Sequence, residues 1–233
     1  MKIEAKKIAY ALVFPALFVL LLWLVWLLET GLDANWYNWG IYPRSVEGSK
    51  GILTSPLIHS SIGHLFSNTI PLLILGWMLV YFYKDISLAV FATLWLLSGL
   101  FTWLFGREAW HIGASGLIYA LSFFLFFSGI LRKYIPLIAV SLLVAFLYGS
   151  TIWNMFPIAE LVDPRVSWEG HLSGAISGLI CAFLFRNYGP QKPVEPEEEE
   201  DEEGENENNE GNEENENNKH FEGIRLDINR NTT

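Results

Sequence analysis

The chain has 233 residues, is 52% hydrophobic and carries a formal charge of −10. That charge is divided: residues 1–189 hold 11 Lys+Arg against 9 Asp+Glu, whereas residues 190–233 hold 4 against 16. Long uncharged runs exclude a soluble globular domain, the acidic balance without a basic stripe argues against nucleic acid as a partner, and a single cysteine, Cys181, excludes an intrachain disulfide or a cysteine-based zinc site.

Ile8–Leu28 is uncharged and apolar throughout, and its 21 residues would span roughly 30 Å as a helix, one bilayer core. The run is too long for a signal-peptide core, and no small-residue cleavage site follows at Glu29-Thr30, so it reads as a retained helix. A long loop to about Leu57 follows. Its Trp36, Tyr37, Trp39, Ile41 and Tyr42 suggest a segment half-sunk in the outer leaflet, either a lateral structural element or an anchor. Leu65–Tyr83 is a second span, weakened by Ser67, Asn68 and Thr69. Ile86–Phe105 and Ile112–Leu131 are strong apolar runs. Ile135–Ile152 and the shorter Gly170–Phe185 are weaker and hold polar groups, which belong on the bundle interior.

The expected fold is therefore an all-α membrane protein, a bundle of six transmembrane helices over residues 1–189, with a disordered acidic C-terminal tail over 190–233. Lys and Arg outside the spans favour a cytoplasmic N-terminus and, with an even helix number, a cytoplasmic tail. Tryptophans such as Trp36, Trp103 and Trp168 fall at the expected outer interface.

Several polar residues gather near the outer helix ends. His59 precedes the second span, and His64 and Asn68 lie four apart on one helical face. Ser115 sits in Gly113-Ala114-Ser115-Gly116 at the start of the fourth span, with Tyr119 one turn below. His171 opens the sixth, followed by Gly174 and Gly178. Taken singly, each has a packing explanation, because small residues bring membrane helices together. Together they place a hydroxyl, a base and extra donors at one depth. A serine needs a neighbouring base to lose its proton, and histidine is the usual one. His64, Asn68 and the Ser115 backbone N–H can supply donors to a tetrahedral oxyanion. No Asp or Glu lies deep in a helix near His171, so the expectation is a dyad.

His59-(x4)-His64-(x3)-Asn68, Gly113-Ala114-Ser115-Gly116 with Tyr119, and His171-(x2)-Gly174-(x3)-Gly178 together resemble the rhomboid intramembrane serine proteases, over about residues 8–187. The resemblance implies Ser115 and His171 as the catalytic dyad, His64 and Asn68 at the oxyanion site, and Tyr119 packed on the catalytic histidine. It implies transmembrane protein substrates in the lipid bilayer, cut near the outer surface, with no cofactor and no metal. The Trp-Arg pair that many rhomboids carry before the first histidine is replaced by Lys50-Gly51, and Ser67 stands where some relatives carry an aromatic. The absence of a long N-terminal domain fits a bacterial plasma membrane.

Other classes fit less well. A non-catalytic relative that binds membrane proteins is the alternative, against which the intact Ser115 and His171 weigh. A transport path would continue across the bilayer rather than cluster at one depth. A metalloprotease lacks His-Glu-x-x-His, and an aspartyl site lacks intramembrane carboxylates.

Overall fold

A computed structural model describes residues 2–139, Leu142 and residues 167–190, all within the compact unit Met1–Lys192. Five long helices organise these residues: α1 (Lys2–Gly31), α2 (Ile62–Phe82), α3 (Ser87–Phe105), α4 (Ser115–Leu131) and α5 (Trp168–Leu184). Among the described residues, four segments are long and apolar enough to cross a membrane: Lys6–Gly31, Ile62–Phe82, Ser87–Phe105 and Ser115–Arg132. Their outer faces leave Leu17, Leu20, Leu24, Leu88 and Leu96 exposed, a surface that only lipid covers without cost. The fifth predicted span, Ile135–Ile152, lies mostly outside the described residues, with only its start, 135–139, and Leu142 seen as helix. The tail from residue 191 lies outside them as well.

Helix starts differ from the apolar runs for local reasons. α2 begins before Leu65 because the Ser61 side chain caps it, its hydroxyl accepting from the His64 N–H at 3.1 Å. α4 begins after Ile112 because the preceding segment is extended. His111 exchanges both backbone hydrogen bonds with Ile41, at 2.8 and 2.9 Å, and Gly113 takes φ +102°, a backbone conformation that favours glycine.

The core joins α2, α3 and α4 through Leu65, Leu72, Leu94, Leu117, Leu121 and Phe124. α5 packs against α4 along a glycine track. A Cβ built on Gly174 would meet the Gly116 carbonyl oxygen at 2.0 Å, and one on Gly178 would meet the Ala120 carbonyl oxygen at 2.4 Å. The backbones therefore touch with no side chain between them. α1 lies against α2, with Pro15 facing Gly76 and the Trp23 indole N–H donating to Thr69 Oγ1 at 3.1 Å.

The loop between α1 and α2 is folded upon α3. It contains short helical turns at Tyr37–Trp39, Glu47–Lys50, Gly51–Thr54 and Ser55–Leu57. Trp95 and Trp103 on α3 donate indole N–H bonds to the Ile52 and Ser45 carbonyls at 3.1 and 2.9 Å. Arg44 donates to the Gly106 carbonyl at 2.8 Å. These bonds satisfy loop carbonyls that would otherwise be stranded beside apolar surface. At the opposite end of α4, the buried Arg132 donates to the carbonyls of Phe185 and Tyr188, just beyond α5.

The close α4–α5 approach makes a stability prediction. Gly174→Ala should cost about 1–3 kcal/mol by forcing the helices apart. Gly63→Ala, where an added Cβ meets only Ser61 Oγ at 3.9 Å, should be neutral or slightly stabilising. Thermal unfolding midpoints in detergent distinguish the two; equal midpoints would contradict the packing argument.

Candidate active site

Ser115 is the first residue of α4, and His171 lies in the first turn of α5. The glycine track brings these helix ends together across 56 residues of sequence, so that His171 Nε2 and Ser115 Oγ are 2.8 Å apart. That distance is a hydrogen bond, and the tautomer with Nε2 bare accepts the serine proton. His171 is buried, and the Tyr119 ring stacks on its imidazole with centroids 4.4 Å apart and planes 13° from parallel. The stack leaves the imidazole little freedom to swing away from Ser115. The Tyr119 hydroxyl is itself buried without a hydrogen-bond partner among the described residues.

His64 and Asn68 approach from α2. A Cβ built on Gly113 would lie 2.6 Å from His64 Nε2 and 3.8 Å from Asn68 Nδ2. Glycine at this position therefore admits both side chains beside the segment that leads into Ser115. Asn68 is buried, and its Nδ2 has no acceptor among the described residues. An orphaned buried donor costs free energy unless an acceptor arrives, and a developing oxyanion is such an acceptor. Gly116 lies against the Gly170 carbonyl, where an added Cβ would meet oxygen at 3.1 Å.

Two spaces adjoin these residues. A cavity of about 30 Å³ lies among Ser55, Ser98, Thr102, Ser115 and Ser167, enough for a water or two in a polar lining. A larger hollow of about 340 Å³ adjoins His59, Ser60, Glu29, Asp33 and Tyr37.

Sequence reasoning did not single out His111, Ser167, Arg107 or Glu169 as parts of this region. His111 is buried, with Nδ1 2.6 Å from Ser167 Oγ and Nε2 3.0 Å from the Arg107 carbonyl. Arg107 donates to the buried Glu169 carboxylate at 3.3 Å. The available signal was a histidine four residues before Ser115 and an acid two before His171, but neither spacing shows that the two loops meet.

His59 packs edge-on against His64, with ring centroids 5.0 Å apart. Burial first, and then the neighbouring His64, lower its pKa from 6.5 to about 4, against an opposing pull from the Leu57 carbonyl. His59 is thus neutral in the fold. The unfolded chain binds this proton near pH 6.5, the folded chain only near pH 4. Stability is therefore full above that window and falls as pH drops through it, by at most roughly 3 kcal/mol from this residue. His59→Gln should flatten the decline in unfolding midpoint between pH 7 and pH 4.5; an unchanged slope would refute the assignment.

Residues 48–188 match the Rhomboid domain. Uncharacterized proteins of Mycobacterium bovis and Mycobacterium tuberculosis are each 40% identical over 180 residues, covering 72% of this chain and 72% of the relative. An uncharacterized protein of Mycobacterium leprae is 36% identical over 174 residues, covering 72% of this chain and 68% of the relative. With its apolar helices and this match over most of the helical region, the chain belongs to the rhomboid family of integral membrane proteins.

Proposed function

We propose that this chain is an intramembrane serine endopeptidase that cleaves single-pass membrane proteins near the outer surface of a bacterial plasma membrane. The reading rests above all on the 2.8 Å contact between Ser115 Oγ and His171 Nε2, beside the orphaned donor of Asn68. Family membership supports the same chemistry.

In this mechanism a substrate helix unwinds locally and presents its scissile carbonyl to Ser115. Oγ attacks the carbonyl carbon while its proton passes to His171 Nε2. The carbonyl oxygen becomes an oxyanion, which accepts hydrogen bonds from His64, Asn68 and the Ser115 backbone N–H. Collapse of the intermediate expels the amine, which takes the proton from His171. Water then attacks the acyl-enzyme, His171 takes the water proton, and the carboxylic product leaves as Oγ recovers a proton. Each proton removed by His171 is returned within the cycle. Tyr119 holds the imidazole in place, and Gly174 and Gly178 allow α5 to reach α4. Burial of the site makes the fixed donors worth more than they would be in water.

The proposal includes the six-span count, the division at residue 189 and a cytoplasmic location for both termini. It includes the acidic tail from residue 190 as a segment outside the protease domain, on the ground that its Glu/Asn-rich sequence has too few apolar residues to form a core.

Full-length protein reconstituted in liposomes tests the assignment. A fluorophosphonate should label wild type at Ser115 and fail to label Ser115→Ala. Ser115→Ala and His171→Ala should each lower cleavage of a reporter helix by about 10³-fold or more, with membrane accumulation unchanged. Asn68→Ala should lower it by about 10²-fold. Full cleavage by Ser115→Ala ends the proposal. A folded wild type that binds membrane proteins without labelling or cleavage favours the non-catalytic binding factor.

A further inference from the structure

His111 lies four residues before Ser115, on the same stretch of backbone, and its side chain reaches the other helix of the pair. Its main chain is fixed by the two hydrogen bonds to Ile41. The imidazole bonds define its tautomer. The Arg107 carbonyl can only accept, so Nε2 carries the proton and donates across 3.0 Å. Nδ1 is then bare and accepts the Ser167 hydroxyl proton across 2.6 Å. While its hydroxyl donates to His111, Ser167 Oγ accepts the Gly170 N–H at 3.1 Å, and the Ser167 carbonyl accepts the His171 N–H at 3.2 Å. Ser167 is the N-cap of α5, and its two oxygens hold the turn that carries His171.

We propose that His111 is a positioning residue: through the Ser167 cap it ties the first turn of α5 to the segment that delivers Ser115, and so fixes the approach of His171 to Ser115. The proposal rests on the reading of Ser115 and His171 as a reacting pair. The glycine track sets how closely α4 and α5 approach, and the His111–Ser167 bond sets how the end of α5 is held against the Ser115 segment. A neutral His111 is required. Protonated at Nδ1 it would donate rather than accept, and the half-buried Ser167 hydroxyl would lose the acceptor it has in the fold. Among the described residues, two charged groups act on it from the surrounding elements: Glu169 on α5 favours the protonated form and Arg107 on the preceding loop opposes it, while burial favours the neutral form most strongly. Arg107 and Glu169 also pair with each other, joining the same loop to the same helix turn.

Three substitutions separate this role from general packing. The Asn side-chain oxygen in His111→Asn occupies the place of Nδ1 and can accept from Ser167. His111→Gln places its amide nearer the Nε2 position and cannot. His111→Ala removes both. In liposomes, His111→Gln and His111→Ala should lower kcat for a reporter helix about tenfold with KM changed less than about twofold. His111→Asn should remain within about threefold of wild type. Ser167→Ala should match His111→Ala, and the double variant should be no worse than either, because one bond is lost in each case.

Hydrogen exchange of the amides of Gly170 and His171 gives a readout independent of catalysis. Exchange should quicken in His111→Gln and remain near wild type in His111→Asn. Equal exchange or equal kcat for the Asn and Gln variants would overturn the positioning role. If wild type neither cleaves nor labels, the endopeptidase reading fails, and the exchange comparison still decides whether His111 holds the α5 turn.

Discussion

Everything at the Ser115 end of this bundle depends on one backbone contact. α4 and α5 meet where Gly116, Gly174 and Gly178 leave no side chains between them. In a membrane, lipid tails are as apolar as leucine, so burial of apolar surface drives helices together only weakly. Close packing and polar contacts carry the association instead. A Cβ at Gly174 would sit 2.0 Å from a carbonyl oxygen, a clash that only separation of the helices relieves. Separation would draw His171 away from Ser115, and a hydrogen bond of 2.8 Å has little length to spare before it ceases to exist.

Around this contact, polar groups are placed under two different regimes. Many structural polar groups are paired: Ser61 caps α2, Ser167 caps α5, and the indole N–H groups of Trp95 and Trp103 meet loop carbonyls. By contrast, among the described residues Asn68 Nδ2, His59 Nε2 and the Tyr119 hydroxyl are buried without partners. All three lie beside the Ser115–His171 pair or beside His64. Unpaired buried polar atoms weaken a fold. Other buried atoms share this condition elsewhere, among them Glu29 Oε2 and Arg132 Nε, but the Asn68 amide is a donor held ready, and such a donor need not reorganise if a negative charge forms beside it.

The folded loop after α1 gives this region its walls. Lys50 sets its ammonium over the Trp39 ring, 5.6 Å from the centroid, and Gly51 packs directly on the Gly40 backbone, where an added Cβ would meet the carbonyl oxygen at 2.1 Å. The loop's attachment to α3 passes through tryptophan and arginine donors on carbonyls. A segment of aromatic and glycine residues thereby becomes a fixed part of the protein and contributes Ile41 to the short pairing with His111. The sequence left open whether this segment is an anchor or a structural element. Its position on α3 gives it a structural role, whatever its depth in the leaflet.

The apolar runs were legible in the residues alone, because an uncharged stretch of about 20 residues has one low-energy solution in lipid. So were the residue types gathered at the helix ends, since polar groups in such runs are costly and few. Local chemistry moved the boundaries: the Ser61 cap lengthened α2, and the extended segment with Gly113 delayed α4. Tertiary structure alone decided which polar groups touch. Ser115 and His171 meet across 56 residues, as do His111 and Ser167, and no periodicity encodes contacts between elements so far apart. Hydrophobicity is a local property that each residue carries by itself. Distance between two side chains belongs to the packing of whole helices, and it exists only once the glycine track has closed.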